Sequence, residues 1–268
     1  MNDLELKQLT ESVITLSKNV GAFLLAEQQK ITASNIERKG ANNLVSYADQ
    51  QAEQMFVTGL AQLLPAAGFI AEEGTGLPSD SGLNWIIDPL DGTTNYLHQI
   101  PFWCTSVALV QNNEPLLGVI FDPMHNELFA AYGHQSAELN GKQMTVSPVK
   151  HLRDMLIVTG FPYDDRGMLQ KNLKAIEEFS RHSRGIRRLG SAALDMAYVA
   201  CGRFDGFYEY GLNPWDVAAG TLLVRNSGGR VDDFCFGGNP IFGEEIIAAS
   251  NDGFTQIQEI VARCFSMQ

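Results

Sequence analysis

Apolar positions recur along this chain with two periods, and the switches between them lay out its elements. Leu6, Leu9, Val13, Leu16, Val20 and Phe23 return at spacings of three and four, the stripe of an amphipathic helix over residues 3–29. A second helix is predicted from Asp49, with Ala52, Met55, Phe56, Leu60 and Leu63 inward and Pro65 past its end. Asp49 is placed to cap it. Residues 31–43 between these helices are polar and read as a surface link or a lid over an anion. Phe69, Ile70 and Ala71 predict a short strand delivering Glu72 and Glu73 to its end, and residues 77–84 a Gly/Ser/Asp loop. Trp85, Ile86 and Ile87 predict a buried strand that stops at Asp88, where Pro89 turns the chain. Strand-like runs follow at 104–110, 116–121 and 127–132, and Asn140-Gly141 is hairpin-turn sequence. These runs predict an antiparallel sheet and an α+β first half, residues 1–147.

The rhythm then changes. Strands at 155–159, 185–189, 204–209 and 246–249 alternate with helices at 169–181, 192–201 and 216–226 and a last one from Asn251. Ser191 caps the second of these helices and Gly202 stops it. Alternation of this kind predicts a layered α/β second half, residues 148–268. No repeat, low-complexity tract or Pro-rich linker separates the halves, so they are expected to pack as one unit.

Composition narrows the class. With 45% hydrophobic and 19% charged residues, the 268-residue chain reads as a soluble globular enzyme. No apolar run approaches the ~20 residues of a membrane span, and acid stands near the N-terminus where a signal peptide carries base. Cys104, Cys201, Cys235 and Cys264 are scattered with no C-x-x-C, as expected of free thiols in a reducing cytoplasm. His98, His125 and His134 lack ligand spacing and read as surface residues. A net charge of −12 argues against nucleic-acid binding. It also repels a phosphate ester, unless divalent ions convert a carboxylate cluster from repulsive to attractive.

Such a cluster is present in outline. Asp88, the Leu90 carbonyl and Asp91 are hard oxygen donors suited to Mg²⁺, and Gly92-Thr93-Thr94 reads as a helix start able to hold phosphate. The same D-P-x-D-G is also good turn sequence. An EF-hand is excluded, because Leu90 breaks the ligand alternation and the twelfth position is Gln99. Asp216, after Pro214-Trp215, stands at a helix start, which a dipole alone explains.

The stretches Ala71-Glu72-Glu73-Gly74, Trp85 to Tyr96 and Trp215-Asp216-Val217-Ala218-Ala219-Gly220 fall in the order of the inositol monophosphatase family. Asp122-Pro123-Met124, Thr159-Gly160-Phe161-Pro162 and Leu189-Gly190-Ser191-Ala192-Ala193 extend the match over nearly the whole chain, which resembles these Mg²⁺-dependent, lithium-sensitive phosphatases. The resemblance implies a five-layer αβαβα sandwich of the sugar-phosphatase type and a site with two or three Mg²⁺. It implies one ion on Glu72, Asp88 and the Leu90 carbonyl to activate water, and one on Asp88, Asp91 and Asp216 at the leaving oxygen. Glu73 is a further outer ligand. It also implies that Thr93, oriented by Asp49, handles the water proton, and that the amides of Gly92 and Thr93 hold phosphate. Ser191, Ala192 and Glu209, with Asp91 and Asp216, are implied to contact the alcohol, which favours inositol 1-phosphate. The family has a mobile loop at 31–43, often with an aspartate where Asn43 stands. A homodimer acting on a small phosphorylated polyol is implied. Fructose 1,6-bisphosphate, 3′-phosphoadenosine phosphate and histidinol phosphate are alternative substrates, and a non-catalytic regulator of transcription or translation is the alternative to an enzyme.

Overall fold

The computed structural model describes residues 1–30, 36–39, 43–161, 167–235 and 237–266. Its outermost layer is a helix pair, α1 (Asp3–Gln28) and α2 (Tyr47–Leu63), packed together against one face of a seven-stranded sheet. Asn2 starts α1 by a reciprocal pair of bonds: its side chain accepts from the Glu5 N–H at 3.0 Å, and its own N–H donates to Glu5 Oε2 at 2.9 Å. The α1 stripe is buried at Leu6, Leu9, Val13 and Val20 and closes on Leu24, with Leu16 and Phe23 half-buried. In α2 the expected inward Leu63 is exposed, and Leu64 packs against the core in its place. Asp49 is the third residue of α2 and not its cap. Where residue types predict only a polar link, β1 (Ile36–Lys39) and β2 (Asn43–Ser46) pair as antiparallel strands. The lid expected here lies for the most part outside the described residues, the side chains of Arg38 and Asn43 included.

The first sheet runs in chain order: β3 (Gly68–Ala71), β4 (Leu83–Asp91), β5 (Cys104–Gln111), β6 (Glu114–Asp122), β7 (Glu127–Tyr132), β8 (Glu138–Leu139) and β9 (Lys142–Gln143). Its hairpins β5–β6 and β8–β9 turn on Asn112-Asn113 and Asn140-Gly141, all at positive φ, the backbone that matches strand twist in two-residue turns. The runs at 104–110, 116–121 and 127–132 pair antiparallel as expected, and β3 joins the sheet parallel to β4. Parallel pairing carries the end of β3 up to the middle of β4, so that the Glu72 N–H donates to the Ile87 carbonyl at 3.2 Å. One expectation needs correction: β4 does not stop at Asp88. Asp88 pairs with Ser106 and Asp91 with Cys104, three steps on β4 against two on β5, which is a one-residue bulge. Pro89 has no N–H to offer the ladder, and a bulge is where a strand tolerates that loss.

The second sheet has the order β11 (Gly185–Arg187), β10 (Leu156–Thr159), β12 (Gly206–Tyr210), β14 (Glu245–Ser250), β13 (Gly229–Asp232). The first three are parallel and the last two antiparallel to their neighbours. Between the sheets lie α5 (Ala192–Ala200) and α6 (Pro214–Asn226); outside the second lie α4 (Leu169–His182) and α7 (Asn251–Ser266). The result is the five-layer αβαβα sandwich. Ala192–Ala197 of α5 and Val217–Val224 of α6 are buried without a break, as expected of helices covered on both sides. Contact with the first sheet is backbone-close: a Cβ on Gly118 of β6 would lie 2.9 Å from the Ala219 carbonyl of α6. Among the described residues no helix is long and apolar enough to cross a membrane.

Candidate active site

The ends of β3, β4, β10 and β12 and the starts of α3 (Thr93–Leu97), α5 and α6 converge on one cleft of about 400 Å³. That volume is in the range of small-molecule sites. Glu72, Glu73, Asp88, Asp91, Asp195, Glu209, Asp216 and Glu244 line it, against the one cation Arg188 among the described lining residues. A cleft so acidic repels a phosphate until cations enter it.

The β4 bulge sets its centre. Asp88 turns back on its own strand, Oδ1 accepting from the Leu90 N–H at 2.9 Å. Leu90 buries its side chain completely, while its carbonyl accepts from Thr93 Oγ1 at 3.0 Å. Asp91 is held from the other half of the chain: Oδ2 accepts from Ser191 Oγ at 2.6 Å and from the Ala193 N–H at 2.7 Å. Ser191 also caps α5 as expected, accepting from the Leu194 N–H at 3.3 Å. Asp216 lies in the first turn of α6, where Oδ2 accepts from the Asn213 N–H at 2.7 Å. Carboxylate oxygens of Asp88, Asp91 and Asp216 lie within 4.8 Å of one another. Glu72 and Glu73 line the same cleft outside that trio.

Burial governs their protonation. It drives Asp88 and Asp216 well above the usual carboxylate range, with neighbouring acids adding to the effect. Glu72 rises to about 7 through burial and then the charge of Glu73. Asp91 stops at about 6, since Ser191 and the amides of Ala193, Ala192 and Gly92 favour its charged form.

Gly92 turns the strand into α3 with φ +92; a Cβ there would sit 3.0 Å from the Phe102 carbonyl and 3.3 Å from that of Gly190. Thr93 Oγ1 lies 3.0 Å from the Leu90 carbonyl and 3.3 Å from Asp49 Oδ2, and its single proton serves one acceptor at a time. Asp49 stands behind the cleft, 1% exposed, and burial followed by the charge of Glu72 raises it well above the ordinary range. The expected Asp49–Thr93 contact is present, in competition with the nearer Leu90 carbonyl. Ser191, Ala192 and Glu209 line the far wall. Glu209 packs so tightly on Gly160 that a Cβ there would fall on its carboxylate, and burial lifts Glu209 to about 8.

Several site residues escape sequence reasoning. Asp195 lines the cleft from α5, with Oδ1 buried and unpartnered among the described residues, and follows an apolar run that gives no hint of a polar wall. Arg188 and Glu244 carry no motif. Glu53, fully buried in α2 beside the Glu72 turn, was detectable as an acid on the inward face, between Ala52 and Phe56.

The model of the inositol monophosphatase family matches residues 5–264. The chain is 42% identical over 228 residues to the Nus factor SuhB of Xylella fastidiosa, covering 85% of this chain and 82% of that protein. It is 39% identical over 244 residues to the inositol-1-monophosphatase of Rhizobium meliloti, covering 91% and 92%. The crystal structure of the extragenic suppressor protein suhB from Bartonella henselae superposes with a TM-score of 0.88 at 37% identity, covering 94% of this chain and 97% of that one.

Proposed function

The chain belongs to the inositol monophosphatase family, and on that premise we propose that it hydrolyses a small phosphate monoester, inositol 1-phosphate foremost, with Mg²⁺ in the acidic cleft. The observation that carries this is the trio of carboxylates within 4.8 Å, two buried and that of Asp216 half-buried. Hard oxygen donors packed this closely, in a cleft with one cation among its described lining residues, suit a small divalent ion. Asp88, Asp91 and Asp216, with Glu72 and the Leu90 carbonyl, hold two or three Mg²⁺, and Glu73 is an outer ligand. When bound, the metal supplies positive charge to the phosphate and lowers the pKa of a water.

The chain's own residues do the rest. Thr93 Oγ1 accepts the water proton while passing its own to Asp49 Oδ2, a carboxylate whose raised pKa suits it to receive one. The water oxygen forms the new bond to phosphorus, and the bond to the alcohol oxygen breaks, leaving an alkoxide that takes a proton from solvent. The amides of Gly92 and Thr93 would donate to the phosphate oxygens, that of Gly92 shared with Asp91. Glu209, beside Ser191 and Ala192, accepts from hydroxyls of the alcohol. Phosphate release from a panel of esters, with Mg²⁺ varied and EDTA as control, tests the reaction class. Assayed above about pH 8, where the Glu209 carboxylate is charged, Glu209→Ala tests the substrate: a bond to a charged acceptor contributes about 1.5–3 kcal/mol, so inositol 1-phosphate is expected to lose roughly 10- to 150-fold in kcat/KM. p-Nitrophenyl phosphate, with no hydroxyl there, loses little. Equal losses on both esters would refute the hydroxyl contact.

The working form is a cytoplasmic homodimer, checked by its mass in solution. A second, regulatory role in transcription or translation is favoured by one finding, the relative named Nus factor SuhB. It is separable by experiment: a variant without phosphatase activity is expected to retain it.

A further inference from the structure

One turn of α2 carries two buried carboxylates, Asp49 and Glu53, four residues apart and so on the same face. Asp49 reaches the junction of β4 and α3 through Thr93. Glu53 reaches a different loop. It is 0% exposed, and both of its oxygens are engaged: Oε2 accepts from the Glu73 N–H at 2.7 Å and Oε1 from the Thr75 N–H at 2.9 Å. Both donors belong to the turn that follows β3 and carries Glu72. The turn bends at Gly74, which has φ +84 and open space around its Cα, and Gly74 itself is exposed. Side-chain packing therefore does little to fix it. A carboxylate removed from water is costly unless hydrogen bonds compensate it, and here backbone N–H groups converge on both oxygens. No other residue type of that size meets both: glutamine accepts at one oxygen and sets an NH₂ group against the second donor.

We infer that Glu53 is a positioning residue for the cleft, clamping the turn after β3 so that Glu72 and Glu73 stand ready beside Asp88 before any metal arrives. This rests on Glu72 being a metal ligand. Through Asp49 and Glu53, one turn of α2 then holds two separate walls of the site, at the ends of two different strands.

The test uses the full chain with Glu53→Gln, Glu53→Met and Glu72→Gln. Mg²⁺ is titrated calorimetrically without substrate, and exchange of the Glu73 and Thr75 amides is followed in EDTA. Loss of a partner that orients metal ligands costs about 10- to 100-fold in metal affinity, and that is the fall expected for Glu53→Gln. The two amides are expected to exchange at least ~10-fold faster, while those of β4 and β5 keep their protection. Lower affinity with both amides still protected would mean that Glu53 acts by charge alone, and overturns the inference. Unchanged affinity in Glu53→Gln, with a loss in Glu72→Gln, overturns it while leaving the ligand assignment intact. Unchanged affinity in both removes the ligand assignment beneath it. Should Glu53→Met fail to fold, Glu53→Gln decides, since it keeps the size and one acceptor.

Discussion

Asp91 answers to three elements at once: it ends β4, takes two hydrogen bonds from the start of α5 on Oδ2, and shares the trio with Asp216 of α6. Asparagine there loses the charge and an acceptor together. Asp91→Asn is expected to lower Mg²⁺ affinity and phosphate release by more than the ~10- to 100-fold of an outer-shell loss, with circular dichroism unchanged. Near-normal turnover at moderate Mg²⁺ would remove Asp91 from the metal shell. Thr93→Ala is expected to lower kcat about 100-fold at constant KM, the scale of a positioned proton-transfer group. A raised KM at constant kcat would move Thr93 to the substrate pocket. Glu209 gives the pH dependence. Burial raises its folded pKa from 4.5 to about 8, so the folded state keeps a proton that the unfolded state releases. Its contribution is fully present below about pH 4.5 and is lost as pH rises to about 8. In EDTA, Tm is expected to fall across that window, and Glu209→Gln to flatten the fall; an equal slope in the variant would contradict the shift. At this scale the motif acids Glu72, Asp88, Asp91 and Asp216 were legible, because their neighbours in sequence are distinctive. Asp195 was not, because an acid on a helix is ordinarily solvated and only packing shows otherwise; Glu53 showed only in its place on the inward face of α2.

The bulge in β4 is what lets a strand carry donors at Asp88, Leu90 and Asp91 along one edge of the cleft. Sequence reasoning put a turn there, since Asp, Pro and Gly favour turns singly; pairing with β5 across the bulge outweighs that preference. The helices were legible from periodicity. The parallel pairing of β3 was not, because strand direction depends on where a loop leads, and loop composition is silent on that. β13 stayed hidden for a related reason: of Gly229–Asp232 only Val231 is buried, too little to make a pattern. The exit from β4 through Gly92 has no tolerance for a side chain. Gly92→Ala, at φ +92 and against the Phe102 carbonyl, is expected to cost more than the ~1 kcal/mol of an ordinary Gly→Ala strain and to displace Thr93. Thermal melts and kcat measure the two effects. Wild-type Tm and turnover in the variant would mean that the turn relaxes.

The whole molecule is tied together by its middle layer. The inner face of the first sheet, at Ile86, Ala108, Ile120 and Phe129, shares one apolar cluster with α5 and α6 and with Phe207 and Ala248 of the second sheet. Urea unfolding is therefore expected as one transition by fluorescence and circular dichroism alike, and residues 1–147 alone are expected not to fold. Two separated transitions would mean that the halves are independent. Layer order was legible through resemblance alone, since a helix apolar all round states that it is covered but not by what. The same arrangement orders events at the ribosome. The first sheet has left the tunnel's supply of chain by Gln143, yet the helix that covers its inner face ends at Asn226. At ~5–20 residues per second, a nascent chain holds that sheet half-dressed for about 4 to 17 s, during which its apolar face is open to chaperones and to neighbouring chains.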